Sequence, residues 1–266
     1  MVELFAHRGW SGAHPEMTRG AFVAAIDLAR REDVRLGLEC DVHFTADGRL
    51  GCLHDADLVR TGRWSGEPSA ALADLSLAEL RTVDFGAWRS DLADLAELTE
   101  ADRAFVELSD LFDMVAEARA AGVDVHLAVE TKHPVPHDDQ VEGALAELLG
   151  SYGWADGSGP VRMISFDLAA LDRMRASCPR VPLTYLISRP DDGTIDHLPG
   201  DIAVGPAGTL LRDDPAFVTR LHEAGRECHV WTVNEPADIA ACLALGVDAI
   251  TTDHPDRALA ALDRSR

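Results

Sequence analysis

The sequence lacks the features that mark membrane-spanning, secreted and disulfide-stabilised proteins. None of its apolar stretches reaches the ~18 residues that a transmembrane helix needs. Residues 1–10 show no basic segment followed by an apolar one, the pattern of a secretory signal peptide. The five cysteines are odd in number and widely spaced, with no CxxC pair, so they predict neither a disulfide framework nor a zinc knuckle. We therefore expect a cytoplasmic protein with reduced, buried thiols and no stable membrane anchor.

Positive charge is also scarce. The 266 residues include 24 lysines and arginines against 46 aspartates and glutamates, a formal net charge of -22. A chain this acidic is expected to be repelled by nucleic acids and by anionic lipid surfaces. A small anionic substrate is compatible with this charge, since a bound cation can reverse the sign of the potential locally. The sequence leaves the oligomeric state open.

Eight short apolar segments, each followed by a stretch of helical periodicity, indicate the fold class. Apolar residues make up 47% of the chain, enough for a globular core. The candidate strands are Leu4–His7, Leu36–Asp41, His126–Thr131, Met163–Phe166, Leu183–Ile187, Ile202–Gly205, Cys228–Val233 and Ala249–Thr252. Strands that alternate with helices predict an α/β protein, and about eight such units favour a TIM (β/α)8 barrel. No GxGxxG or P-loop pattern follows the first strand, which disfavours a nucleotide-binding open sheet.

Two segments depart from this alternation. Asp47 and Gly48 form a strong two-residue turn signal. It predicts a hairpin in which Asp41 lies opposite His54, with both side chains on one face. Residues from about 55 to 105 are irregular, with Gly, Ser, Pro and Trp between short acidic pieces. We predict a single domain over residues 1–266, with this segment inserted after the second barrel strand, on the side where barrel active sites are built.

Three carboxylates stand near the carboxyl ends of two candidate strands. Glu39 and Asp41 lie on one strand, where alternation puts them on one face, and Glu130 lies near the end of the next. Carboxylates inside a barrel are costly to bury unless they are paired or bind a metal. These oxygen donors suit Mg²⁺ or Ca²⁺, with Mn²⁺ as a further candidate. Zinc fits less well, because no Cys or HExxH spacing accompanies them.

Two histidines and two cations lie close to the same strand ends. His7 and His54 are the natural general acid and base, because the pKa of an ordinary histidine lies near neutrality. Arg8 offers a planar fork, and Lys132 a point charge, for phosphate oxygens. Together with the carboxylates, these groups predict an enzyme that cleaves a phosphodiester. Their chemistry leaves open which histidine is the acid and which the base.

A series of short motifs carries a family resemblance. The motifs are HRG at 7–9, PEMT at 15–18, ECD at 39–41, TADG at 45–48, HDADLVRT at 54–61, ETKHP at 130–134, SFD at 165–167, WTVN at 231–234 and TTDHP at 251–255. Each motif is weak alone, but in order and spacing they resemble those of the glycerophosphodiester phosphodiesterases, over nearly the whole chain from about Phe5 to Pro255.

The resemblance implies a metal-dependent TIM barrel that hydrolyses glycerophosphodiesters to glycerol 3-phosphate and an alcohol. The catalytic pair, metal ligands and phosphate contacts that it implies are the seven residues identified above from their chemistry. It leaves open the head group of the substrate. It also leaves open whether the nucleophile is water or the neighbouring glycerol hydroxyl, which would give a cyclic phosphate.

Four further positions are weaker predictions. Met17 stands where the family's PENT motif has Asn, so the polar contacts of that Asn are lost. Glu16 of the same motif is expected to orient Arg8 or His7. Trp231 is expected to form an apolar wall under the glycerol or head group, or to be a core aromatic. For Asp253, a helix cap and a role in the site are equally compatible with the sequence.

Two other functions stay open. A lysophospholipase D or a phosphoinositide-type phospholipase would use a similar histidine pair but would need an apolar or basic lip at the barrel mouth. A non-catalytic metal-binding or phosphate-binding module would keep the three carboxylates without needing both histidines. Retention of His7 together with His54 favours an enzyme.

Overall fold

Eight parallel strands form a nearly closed barrel, which confirms the predicted fold class. The computed structural model describes residues 2–66, 69–92, 95–134, 140–189, 193 and 195–265. The barrel strands are β1 (Glu3–Ala6), β2 (Leu36–Phe44), β4 (Val125–Thr131), β5 (Val161–Ser165), β6 (Leu183–Ile187), β7 (Ala203–Pro206), β8 (His229–Val230) and β9 (Ala249–Thr252). The short strand β3 (Leu50–Cys52) pairs with β2 in an antiparallel hairpin.

The order of the strands around the barrel is β7-β6-β5-β4-β2-β1-β9-β8. Single parallel bridges, Val204 with Cys228 and Ala207 with Trp231, bring β8 back to β7. All eight predicted strands are present, although their ends shift by a few residues. The second is longer than predicted because it continues beyond the barrel into the hairpin.

Helices connect the barrel strands along the chain, except between β6 and β7, where the described residues form only the 3-10 turn Ile195–His197. The helices are α1 (Arg19–Glu32), α2 (Leu77–Leu80), α3 (Leu108–Ala120), α4 (Val141–Ser151), α5 (Leu168–Ser177), α6 (Gly208–Asp213), α7 (Ala216–Glu223), α8 (Pro236–Leu245) and α9 (Pro255–Ser265). The first begins where Thr18 Oγ1 accepts a hydrogen bond from Ala21 N at 3.3 Å, a cap that typically stabilises a helix by ~1 kcal/mol. Among the described helices, none is both long enough and apolar enough to cross a membrane.

Alternation along β2 separates the core from the site. All nine residues of this strand are buried. Leu38 and Cys40 belong to the main apolar cluster. Glu39 and Asp41 point the opposite way, into the barrel, because successive side chains leave a strand on opposite faces. One strand therefore anchors the fold and supplies two site residues.

The hairpin has a different register from the predicted one. Val42 pairs with Cys52, and Leu53 N donates a hydrogen bond to Asp41 O at 3.1 Å. Asp41 therefore faces Leu53, and the prediction that it lies opposite His54 was wrong by one residue.

Side-chain hydrogen bonds in the turn explain the shift. Thr45 N donates to Arg49 O at 2.9 Å, which closes a three-residue loop instead of the expected two-residue turn. Thr45 Oγ1 donates to Asp47 Oδ1 at 2.6 Å and accepts from Arg49 N at 3.0 Å. Gly48 adopts the left-handed conformation that this loop requires, with φ of 73°.

The segment between β3 and α3 has an apolar cluster of its own. In its described part, residues 55–105 form α2 and the 3-10 turns Leu72–Asp74 and Leu95–Glu97. The buried members of the cluster are Leu53, Leu58, Leu72, Leu75, Leu80, Val83, Phe85 and Phe105. This small core gives the segment a means of holding its shape beside the barrel, while the domain boundaries stay a prediction.

Candidate active site

Three buried carboxylates meet at the carboxyl end of the barrel. Asp41 and Glu130 are register partners on β2 and β4, and Glu39 precedes Asp41 by two residues on the same face. One carboxylate oxygen from each of the three lies within 4.8 Å of the others. The residues are 3%, 1% and 7% exposed for Glu39, Asp41 and Glu130, respectively. The structure thus brings together the three residues that the sequence predicts as metal ligands.

Burial and mutual repulsion make this cluster unfavourable when it is fully ionised. Burial raises the pKa of Glu39 well above its usual range, and the charges of Asp41 and Glu130 raise it further. Burial, with the charge of Asp41, also raises the pKa of Glu130 to about 8. Burial acts on Asp41 in the same direction, but Lys132 and Arg8 outweigh it and hold the pKa of that carboxyl well below its usual range.

Two cations lie against the cluster. Lys132 Nζ is 2.7 Å from Asp41 Oδ1 and 2.6 Å from Glu130 Oε1. Arg8 Nε is 3.3 Å from Asp41 Oδ2, and Arg8 N donates a hydrogen bond to Glu39 Oε2 at 3.0 Å. Both predicted phosphate contacts therefore lie beside the predicted metal ligands.

The carboxylates fit a hard divalent cation. Mg²⁺ and Ca²⁺ prefer oxygen donors. Asp41 Oδ2 is buried and has no hydrogen-bond partner of acceptable geometry among the described residues, although Arg8 lies near it. Burial is the main cause of the raised pKa values of Glu39 and Glu130, and a cation would relieve the mutual repulsion that adds to it.

His7 is held from both sides. It follows β1 directly, and its Nδ1 lies 2.6 Å from Asp253 Oδ1. Its Nε2 lies 3.9 Å from Glu39 Oε2, so the ring borders the acidic cluster. Asp253 accepts further hydrogen bonds from Ser11 Oγ at 2.9 Å and from Asn234 Nδ2 at 2.5 Å. Of the two roles left open for Asp253, this geometry favours the one in the site.

His54 is arranged in a similar way. Its Nδ1 lies 2.7 Å from Asp55 Oδ1. Burial lowers its pKa, Asp41 opposes that effect, and Arg8 and Lys132 lower the pKa further. The charges that act on His54 are thus those of the acidic cluster and its two cations. An ionised aspartate can only accept, so each histidine donates through Nδ1 and Nε2 is left for chemistry.

Glu16 contacts Arg8 rather than His7. Glu16 Oε1 accepts a hydrogen bond from Arg8 Nη1 at 2.8 Å. The same carboxylate accepts two more from Arg60, at 2.6 and 2.8 Å. Met17, beside it, is buried in the main apolar cluster and donates through its backbone N to Arg8 O at 3.0 Å. Both Arg8 and Met17 have positive φ, 56° and 59°, a conformation that residues other than glycine seldom adopt.

Trp231 forms part of an apolar wall. With Ile164 and Leu186 it lines one side of a cavity of about 40 Å³ in the barrel, whose other side includes His7 and Glu39. Trp231 Nε1 donates to the carbonyl of a β7 residue at 2.7 Å, which fixes the ring. Phe166 packs edge-on against Trp231, with ring centroids 5.2 Å apart. The wall places apolar side chains next to the charged groups.

Asp55, Asp253 and Arg60 contribute to the site, and sequence reasoning did not assign them to it. Asp253 lies in the TTDHP motif at the end of the last strand, and this position at a strand end was a sequence signal for a site residue. Arg60 lies in the HDADLVRT motif, five residues after Asp55. Nothing local in either motif indicates the partner, because His7 and Glu16 are distant in sequence.

Comparisons with known proteins agree with the motifs. Residues 7–257 match the sequence profile of the glycerophosphoryl diester phosphodiesterase family. A Mycobacterium tuberculosis protein named probable glycerophosphodiester phosphodiesterase 1 is 36% identical over 269 residues, covering 99% of this chain and 93% of its own.

Solved structures show the same barrel. A putative glycerophosphoryl diester phosphodiesterase from Silicibacter pomeroyi superposes with a TM-score of 0.82 at 27% identity, covering 100% of this chain and 94% of that one. A phosphodiesterase from Oleispira antarctica, solved with its product sn-glycerol 3-phosphate, gives a TM-score of 0.80 at 24% identity, covering 98% and 96%.

Proposed function

Since the chain belongs to the glycerophosphoryl diester phosphodiesterase family, a family of phosphoric diester hydrolases, we propose that it hydrolyses glycerophosphodiesters to glycerol 3-phosphate and an alcohol. One observation carries the proposal: three buried carboxylates, two cations and two aspartate-backed histidines meet at one end of the barrel. These groups supply what phosphodiester hydrolysis needs, namely charge neutralisation, phosphate contacts and proton transfer. We propose a small cytoplasmic substrate, consistent with the acidic charge of the chain.

The three carboxylates would hold a divalent cation, Mg²⁺ or Ca²⁺, with Mn²⁺ as a further candidate. Bound at Glu39, Asp41 and Glu130, it would supply positive charge for a nonbridging phosphate oxygen. The oxygen-only donor set and the raised pKa values of Glu39 and Glu130 support this assignment.

Arg8 and Lys132 would hold the remaining phosphate oxygens. Both side chains are mostly buried, so their charges are poorly screened by water. The contact between Arg8 and Glu16 aims the guanidinium, since a carboxylate accepts from its fork in a fixed geometry. The ammonium group of Lys132, held between Asp41 and Glu130, puts a point charge at the edge of the cluster.

His7 and His54 would transfer the protons. One removes a proton from the nucleophile, and the other protonates the oxygen of the leaving alcohol. Asp253 and Asp55 hold the Nδ1–H tautomer of the two rings, so Nε2 is the atom that takes or gives the proton. The arrangement is compatible with attack by water, and with attack by the neighbouring glycerol hydroxyl followed by opening of a cyclic phosphate.

Exposed apolar side chains favour a second candidate substrate. Phe166 is 39% exposed beside Trp231, and Val59 is 58% exposed next to Arg60, which itself contacts the site. A lysolipid with one acyl chain would cover such side chains. The same reaction on this substrate would be that of a lysophospholipase D.

Product analysis tests the proposal. Glycerophosphocholine, glycerophosphoethanolamine and lysophosphatidylcholine are incubated with the protein and Mg²⁺, Ca²⁺ or Mn²⁺, and phosphorus NMR follows the products. We expect glycerol 3-phosphate from the first two, and its loss in folded His7→Ala and His54→Ala variants. Turnover of lysophosphatidylcholine alone would move the assignment to the lysolipid. Binding of diesters without turnover of any of them would contradict the proposal and favour a non-catalytic module.

A further inference from the structure

Arg60 binds two carboxylates of the site at once. Its Nε donates to Asp55 Oδ2 at 2.6 Å. Its Nη1 and Nη2 donate to the two oxygens of Glu16 at 2.8 and 2.6 Å. The second contact is bidentate, the arrangement in which a guanidinium fixes the direction as well as the distance of its partner. Arg60 nevertheless remains 40% exposed, more than a core ion pair would be.

Each of these carboxylates holds another site residue. Asp55 Oδ1 lies 2.7 Å from His54 Nδ1, and Glu16 Oε1 accepts from Arg8 Nη1 at 2.8 Å. A continuous chain of contacts therefore runs from His54 through Asp55, Arg60 and Glu16 to Arg8. It joins the loop after β1, which carries the phosphate contact, to the loop after β3, which carries the histidine.

An aromatic ring holds Arg60 in place. The guanidinium carbon lies 5.5 Å from the ring centroid of Trp88. Arg89 lies 5.4 Å from the same centroid and donates through Nη1 to the carbonyl of Ser11 at 2.8 Å. The irregular segment thus supplies both Arg60 and the surface on which it rests. Stacking on the ring limits the rotamers of a side chain that would otherwise be mobile.

We infer that Arg60 is a positioning residue, which sets the distance between His54 and Arg8 by way of Asp55 and Glu16. The inference rests on the proposed function for the roles of His54 and Arg8. Proton transfer to an alcohol oxygen on a bound phosphate requires the two groups at a fixed spacing, and a misplacement of ~1 Å can cost ~100-fold in rate. A lysine could not replace Arg60 fully, because its ammonium is a point charge that cannot span two carboxylates as a planar fork does.

Steady-state kinetics of three variants test the inference on the best diester substrate. We expect Arg60→Ala to lower kcat about 10- to 100-fold, as loss of an orienting partner does at comparable sites, with a smaller change in KM. Arg60→Lys should recover part of this loss. Arg81→Ala is the matched control, because Arg81 lies in the same segment, is 54% exposed and pairs with Glu107 and Asp110 rather than with a site residue. It should keep wild-type kinetics.

Double variants separate positioning from a general structural effect. If Arg60 acts through its two carboxylates, then Asp55→Asn/Glu16→Gln should lose most of the sensitivity to Arg60. Adding Arg60→Ala to that background should change kcat less than about threefold, against the larger change in the wild type. Melting temperatures within about 4 °C of the wild type would show that the variants are folded.

The possible failures are distinguishable. An active wild type whose Arg60→Ala variant keeps its kcat within twofold overturns the inference alone. So does a full Arg60 effect in the Asp55→Asn/Glu16→Gln background, or an equal loss of kcat in Arg81→Ala. A wild type inactive on every diester overturns the proposed function, and the inference with it.

Discussion

The amino and carboxyl ends of the barrel carry the same residue types in different arrangements. At the amino end, Glu3 and His229 begin strands β1 and β8, and Arg162 is the second residue of β5. Each of the two basic groups has a polar partner: Arg162 Nη2 lies 3.6 Å from Glu227 Oε2, and His229, whose pKa burial lowers, has its Nε2 3.0 Å from the same oxygen. Glu3 pairs in turn with Arg35 at 2.9 Å. Charges paired in this way leave no crowded excess of one sign for a ligand to neutralise.

The carboxyl end has an excess of one sign. Glu39, Asp41 and Glu130 crowd within 4.8 Å, and the first and last have raised pKa values. At the amino end, the buried His126 is the residue to compare with this cluster. Neither of its two ring nitrogens has a hydrogen-bond partner among the described residues. Burial lowers its pKa to about 3, and Arg35 adds to that effect.

Residue type alone therefore does not identify a functional site. Both ends have histidines and carboxylates, but only at the carboxyl end are several carboxylates buried and crowded together, which creates a place that a cation would stabilise. The loops supply the other residues of the site. At the carboxyl end they add Arg8, His54 and Asp253 around the crowded carboxylates, as loops do at the corresponding end of other barrels.

The largest expected effect comes from the histidines. His7→Ala and His54→Ala should each lower kcat by about 10²- to 10⁴-fold, because each removes a general acid or base. The matched change at the amino end, His126→Phe, should leave kcat within about twofold. Initial rates of glycerol 3-phosphate release measure all three. Equal losses at both ends would remove the distinction between them.

A smaller loss is expected when the support of His7 is changed. Asp253→Asn keeps the size of the side chain but removes the charge that holds the Nδ1–H tautomer, so kcat should fall about 10- to 100-fold. Asp256→Asn, on the exposed start of α9, is the control and should be neutral. A wild-type rate in Asp253→Asn, with folding verified by circular dichroism, would show that Asp253 has no part in catalysis.

A substitution at the amino end should change the free energy of unfolding rather than kcat. The folded-state pKa of His126, about 3, lies below its ordinary value of 6.5, so the unfolded chain binds more protons between those pH values. The contribution of His126 is therefore complete above pH 6.5 and is lost as the pH falls. At pH 5 the loss amounts to about 2 kcal/mol of the free energy of unfolding.

Urea unfolding at pH 7.5 and pH 5.0 measures this loss. His126→Phe should show a free-energy difference between the two pH values that is smaller than that of the wild type by about 2 kcal/mol. The comparison uses the difference between pH values, so any effect of the substitution itself on packing cancels. An unchanged difference would mean that His126 is not held neutral by its surroundings.

The smallest expected effect is the release of protons when a metal ion binds. At pH 7, below the raised pKa of Glu130 of about 8, a metal ion must displace a proton from this carboxyl to bind there. We expect release of about one proton or more per bound cation. Calorimetry in buffers of different ionisation enthalpy detects it, and Glu130→Gln should reduce it. A binding heat that does not depend on the buffer would contradict the raised pKa of the cluster.

Much of the fold and of the site follows from local sequence patterns. Alternating strands and helices predict the eight barrel strands, since each pattern is written in consecutive residues. Glu39 and Asp41 could be placed on one inward face because strand geometry fixes the direction of every second side chain. Residues at strand ends, such as His7 and Lys132, could be expected at one edge because parallel strands end on the same side.

What could not be predicted depends on tertiary contacts or on competition between turns. Arg60 reaches Glu16 across 44 positions, and His7 reaches Asp253 across 246, so neither pair leaves a local pattern. The hairpin register failed for another reason. The hydroxyl of Thr45 stabilises a three-residue loop that competes with the two-residue turn indicated by the sequence.

Metal dependence of the hydrolysis shows whether the three carboxylates form a catalytic metal centre. The protein is treated with EDTA, freed of it, and titrated with Mg²⁺, Ca²⁺ and Mn²⁺ while release of glycerol 3-phosphate from glycerophosphocholine is followed, with Glu130→Gln in parallel. If the acidic cluster is the metal centre of a diester hydrolase, the treated wild type is inactive and at least one cation restores its rate saturably. The variant should need a much higher cation concentration or stay inactive. Full activity in the metal-free protein, or equal restoration of the variant, would show that the three carboxylates are not a catalytic metal centre.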